Sequence, residues 1–135
     1  MVTLFGPNPF EEVWTVIKSW KPRGCKTEKA YEKSLQRELE KKLKNRTIQT
    51  QYGAARQRVD ICVDGKVPIE LKKDLNSTAD YQKTKGQLDD YLKKWDGVFL
   101  VLCGQTAPDI LKSLQEYARK RASVLTGDRI KIWKV

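Results

Sequence analysis

Between Arg58 and Asp74 the chain reads RVDICVDGKVPIELKKD, and this stretch limits the available folds more than any other. Val59, Ile61 and Val63 alternate with Asp60 and Cys62, and Val67, Ile69 and Leu71 alternate with Pro68, Glu70 and Lys72. Two strands around an Asp-Gly turn are predicted, and in a hairpin their apolar faces must coincide. Directly opposed residues then have a constant position sum, and coincident faces require that sum to be even. A two-residue Asp64-Gly65 loop gives an odd sum and sets Val59 against Glu70. A three-residue loop, Val63-Asp64-Gly65 with Gly65 left-handed, or an equivalent bulge, satisfies the pattern. Asp60, Glu70 and Lys72 are thereby predicted on one face, with the two carboxylates as cross-strand neighbours.

Carboxylates that close repel unless a cation lies between them. The chain has no histidine, which excludes imidazole zinc sites, Ser-His-Asp and Cys-His catalysis. Its three cysteines, Cys25, Cys62 and Cys103, form no CxxC pair, so neither a thiolate zinc site nor a disulfide framework is expected. Oxygen ligands alone favour Mg²⁺, with Mn²⁺ as a substitute. A lysine two residues beyond one ligand can reach metal-bound water, which is the composition needed to make a nucleophile beside a phosphate.

The rest of the chain predicts what surrounds the hairpin. NPFEEVWTVIKSW begins with an N-cap, a proline and acidic residues and carries apolar residues at helical spacing. A second helix is expected from Thr27 to about Lys44, with Tyr31, Leu35, Leu39 and Leu43 as its apolar stripe. TIQTQYG reads as a strand, followed by the basic loop AARQR. A helix capped by Ser77 or Thr78 runs to about Trp95, and GVFLVLCG is a strand covered on both faces. A last helix, beginning near Pro108 and closed by Gly127, precedes the edge strand RIKIWKV. The fold class is therefore α/β, a single domain over residues 1–135 with a mixed sheet of about five strands flanked by helices.

With 27 basic and 17 acidic residues the net charge is +10, which attracts polyanions, nucleic acid foremost. No apolar run approaches a membrane span, and the N-terminus lacks a signal-peptide pattern, so a reduced, intracellular (cytoplasmic) protein is expected.

Asp60, followed across a hairpin by Glu70-Leu71-Lys72 in VPIELKK, resembles the PD-(D/E)xK nuclease superfamily. The helix-strand-strand-strand-helix-strand order from Thr27 to Cys103 is similar to that superfamily's restriction-endonuclease-like α-βββ-α-β core, here with an extra N-terminal helix and a C-terminal helix and strand. GQLDDYL matches the QxxxY motif of the RecB-like branch through Gln87 and Tyr91, which four-residue spacing puts on one helical face. One departure is Val59, where the superfamily usually has proline.

The resemblance implies a divalent-metal-dependent deoxyribonuclease. Asp60, Glu70 and the Leu71 carbonyl would bind the metal, and Glu32, with Glu28 as second candidate, would contribute directly or through water. Lys72 would orient and activate the attacking water, with Gln87 and Tyr91 positioning the site. Arg56, Arg58, Lys73 and Lys83 would hold flanking DNA phosphates. Cutting both strands of a duplex needs two sites, which a homodimer would supply. The alternatives are a catalytically inactive nucleic-acid-binding module, or a structural subunit of a DNA-processing complex, on the same fold.

Overall fold

A computed structural model describes residues 8–122 and 127–135. In chain order these form α1 (Pro9–Ser19), α2 (Glu28–Lys42), β1 (Ile48–Tyr52), a 3₁₀ turn (Ala55–Gln57), β2 (Val59–Val63), β3 (Val67–Lys73), α3 (Thr78–Leu92), β4 (Val98–Cys103), α4 (Pro108–Lys120) and β5 (Ile130–Lys134). The protein is α/β. Its five strands lie in the order β1-β2-β3-β4-β5, antiparallel across β1/β2 and β2/β3, parallel across β3/β4 and β4/β5. Hairpin loops permit the first two pairings, whereas the parallel ones need the crossovers supplied by α3 and α4.

Both faces of the sheet are covered. Helices α1 and α2 pack on Ile61, Val63, Ile69, Leu71, Phe99 and Val101. Helices α3 and α4 pack on Cys62, Val98, Leu100 and Leu102. Every residue of β4 is buried, as its unbroken apolar run requires. The stripe on α2 places Leu35, Leu39 and Leu43 in the first of these cores, each worth about 2 kcal/mol of burial. Capping follows the sequence: Asn8, Thr27 and Ser77 accept from backbone amides in the first turns of α1, α2 and α3.

Helix α4 stops earlier than the sequence suggests. Its last residue is Lys120, with the Arg121 amide bonded back to Ala118, and Gly127 stands next to β5 instead of closing the helix. The 123–126 part of the expected helix lies outside the described residues.

The β2–β3 hairpin has the even register that its apolar pattern demands, with Ile61 opposite Ile69 and Val63 opposite Val67. The loop, however, is Asp64-Gly65-Lys66, one residue later than expected. Asp64 and Gly65 both have positive φ (55° and 66°), and the Lys66 amide donates to the Val63 carbonyl at 3.0 Å. This is the geometry of a type I′ turn, after which Lys66 is the bulged residue that restores the parity. Asp64 tolerates the left-handed region because its carboxylate is held from outside, by the Thr47 amide at 2.8 Å and Arg46 Nη1 at 2.7 Å. With φ 66° and a Cβ that would stand 2.9 Å from the Tyr52 hydroxyl, position 65 favours glycine.

Candidate active site

Strands β2 and β3 part company at the charged end of the hairpin. Extending the register would make Asp60 and Glu70 a ladder pair, but the backbone pairing ends at Ile61 and Ile69. Side chains replace the missing bonds: the Asp60 amide donates to Glu70 Oε1 at 3.2 Å, and the Leu71 amide donates to Asp60 Oδ2 at 2.9 Å. Strand alternation also breaks here. Ile61 and Val63 face α1 and α2, whereas Val59 packs in the α3/α4 layer. The expectation that Val59, Ile61 and Val63 share one face is therefore corrected at Asp60. Opposite Asp60 in the β1–β2 register, Gln51 has φ 48°, a left-handed residue inside a strand.

Gln51 was not singled out by the sequence, where it reads as an ordinary exposed strand residue. Its Nε2 donates to Glu32 Oε1 at 2.9 Å and approaches Asp60 Oδ1 at 3.4 Å. One amide group thus links the α2 glutamate to the β2 aspartate. The other oxygen of Glu32 accepts from Lys29 Nζ at 2.8 Å. Glu32 is 4% exposed and Glu70 is 5% exposed, and buried carboxylates require such partners. Glu28, the second candidate, instead accepts from the Lys73 amide at 2.9 Å and braces the end of β3.

Lys72 Nζ lies 3.3 Å from Glu70 Oε2 and retains partial solvent access. Its charge does not cancel the cost of confining the two acids. Burial, followed by the neighbouring Asp60 charge, pushes Glu70 up to about 7, with Lys72 opposing. Burial also raises Asp60, although the Leu71 amide, Gln51 and Lys72 pull the other way. Two desolvated carboxylates, both displaced toward the protonated form, mark a place where positive charge is in deficit.

Helix α3 closes the site from the other face. Tyr91 is buried, and its hydroxyl donates to the Arg58 carbonyl at 3.0 Å. Burial raises its pKa, and the negative charges of Glu70 and Asp60 raise it further. Gln87 lies one turn earlier on the same face of α3; its Oε1 is buried without a hydrogen-bond partner among the described residues. Lys83, a further turn back, is exposed, as are Arg56 in the 3₁₀ turn and Arg58 at the start of β2. The turn is fixed to α3 by Gln57 Nε2, which donates to the Asp90 carbonyl at 3.1 Å. Lys73 does not extend freely toward a ligand: it is ion-paired with Asp74, whose other oxygen accepts from the Gln105 amide at 2.9 Å.

The donors around Asp60 and Glu70 are oxygens, the chemistry a hard divalent cation selects. Among the described residues no group of three or more carboxylate or cysteine side chains converges closely enough to hold a metal. The reason is visible in the α2 contact, where the Gln51 amide stands between Glu32 and Asp60. Asp60 and Glu70 are thus adjacent carboxylates, with Glu32 one amide further out. Among the described residues no helix is long and apolar enough to cross a membrane. Comparisons with protein-family models, with curated proteins and with solved structures return no match.

Proposed function

We propose that the protein is a divalent-metal-dependent nuclease that hydrolyses phosphodiester bonds in DNA, on a restriction-endonuclease-like core. The observation that carries this reading is the pairing of Asp60 with Glu70 across strands that have separated, with Lys72 3.3 Å from the second carboxylate. A merely structural hairpin has no need to interrupt its ladder and bury two repelling acids. The +10 charge suits a polyanionic substrate.

In this reading Asp60, Glu70 and the Leu71 carbonyl hold the metal. A bound Mg²⁺ supplies a water of lowered pKa and offsets charge on the phosphate. Lys72 holds the attacking water in line and donates to the phosphate oxygen as negative charge develops. Glu32 steadies Asp60 through Gln51, and Tyr91 fixes the approach of β2 by its bond to Arg58. Arg56, Arg58 and Lys83, all exposed, supply contacts to flanking phosphates.

The decisive experiment is incubation with linear, circular, single-stranded and branched DNA, with and without Mg²⁺ or Mn²⁺. Metal-dependent cleavage that is lost in Glu70→Ala and Lys72→Ala supports the nuclease. A second reading, a nucleic-acid-binding module without catalysis, is favoured by the engagement of Asp60 and Glu32 with Gln51. DNA binding with no cleavage of any substrate in either metal would establish that module instead.

A further inference from the structure

A second charged feature lies away from the Asp60–Glu70 pair, on the outer side of α2. The segment joining α1 to α2 and the flank of α2 enclose a groove of about 670 Å³. Five cations line it: Lys21 and Arg23 from the connecting segment, and Lys33, Arg37 and Lys41 from the helix. The three helical cations stand four residues apart, so they form one row with steps of about 6 Å along the axis. None of the five makes a hydrogen bond or ion pair with another described residue through its side chain. The groove's one carboxylate, Glu38, is matched by Lys42 at 3.2 Å and leaves the row uncompensated. The groove also contains Trp20, which is buried and whose indole donates to the Ser34 hydroxyl at 3.0 Å.

We propose that this groove binds the sugar-phosphate backbone of DNA, without base specificity and without a metal. Like charges held this close are destabilising unless an anion resides among them. A row of evenly spaced cations matches a linear polyanion better than a single small anion. A concave groove whose tryptophan is buried offers a flat anionic bilayer neither an insertion residue nor a coplanar surface. The row of helical cations begins at Lys33, the residue after Glu32, so α2 carries both a residue of the candidate site and the backbone contact. The inference deepens the proposed DNA substrate and does not depend on catalysis.

The test is metal-free binding in EDTA to labelled duplex and single-stranded DNA across a salt series. The variants are Lys33→Gln/Arg37→Gln/Lys41→Gln and, as an equal-charge control on α4, Lys112→Gln/Arg119→Gln/Lys120→Gln, each checked for folding by circular dichroism. If three phosphates are neutralised in the groove, the unmutated protein loses about 40-fold more duplex affinity than the groove variant between about 50 and 200 mM salt. The control should follow the unmutated protein. Equal salt dependence in the two variants overturns the groove, as does binding to phosphatidylserine vesicles or inorganic phosphate in place of DNA. Loss of cleavage in Glu70→Ala with the groove result intact, or the reverse, separates this inference from the nuclease reading.

Discussion

The amide of Asp60 donates to the carboxylate of Glu70 at 3.2 Å, so a residue needed to hold two strands together is also one that repels its neighbour. Glu70 is the least comfortable charge in the fold. Its pKa is raised from the ordinary 4.5 to about 7, so between those values the folded state binds more protons than the unfolded one. Stability therefore falls as pH rises from about 4.5 to about 7 and is level beyond, a loss of up to about 3 kcal/mol. Glu70→Gln should flatten this slope and raise the melting temperature at pH 8. A steeper slope, or a lower melting temperature at pH 8, in that variant would show that the carboxylate is not the source.

Gln51→Ala removes the amide linking Glu32 to Asp60. In the absence of metal the variant should be about 1–3 kcal/mol less stable, because the buried Glu32 carboxylate loses a donor. The Mg²⁺ concentration giving a half-maximal thermal shift should fall severalfold, because no amide has to leave before a cation approaches Asp60. Thermal melts over a magnesium series decide the matter, and an increased requirement contradicts it.

Arg46 is bonded to Glu12 of α1 by two hydrogen bonds, at 2.9 and 3.1 Å, and to Asp64 of the β2–β3 turn at 2.7 Å. Arg46→Ala should cost about 2–4 kcal/mol, measured by urea denaturation, because two carboxylates lose a partly buried partner. The pH signature has the opposite sign to that of Glu70. Arg46 holds Glu12 low, and in Asp64 burial is outweighed by the Thr47 amide and Arg46. Their contribution is present above the ordinary carboxylate range and is lost as pH falls below about 4. Arg46→Ala should accordingly reduce the acid sensitivity of the protein.

Tyr91→Phe deletes the hydroxyl that reaches the Arg58 carbonyl and leaves the buried ring in place. Stability should fall by about 1 kcal/mol. On the nuclease reading, cleavage should fall about tenfold in kcat while DNA affinity is kept, because a positioning contact and not a phosphate contact is lost. An affinity loss with unchanged kcat would reassign Tyr91 to substrate binding.

The elements were legible wherever one periodicity ruled the sequence. The α2 leucines, the unbroken run of β4 and the paired alternation of β2 and β3 were each readable from one periodicity, and the even parity of the hairpin followed from that alternation although its exact register did not. What was illegible depended on contacts between distant segments. Asp64 is left-handed because Arg46 and Thr47 hold its side chain, and no local signal moves the loop by one residue. Gln51 became visible only when Glu32 of α2 was placed beside β1. The early end of α4 is likewise unmarked, since its N-terminus carries a proline signal whereas its exit at Arg121 lacks a nearby glycine.

The three cysteines differ in a way that makes one of them an experimental handle. Burial pushes the thiols of Cys62 and Cys103 up to about 11 and about 12, and both are fully covered. Cys25 is only half-buried and lines the cationic groove beside α2. A thiol reagent therefore meets one accessible cysteine in the native protein. A single maleimide fluorophore, added without any mutation, would sit among Lys21, Arg23 and the α2 lysines and report on whatever enters between them.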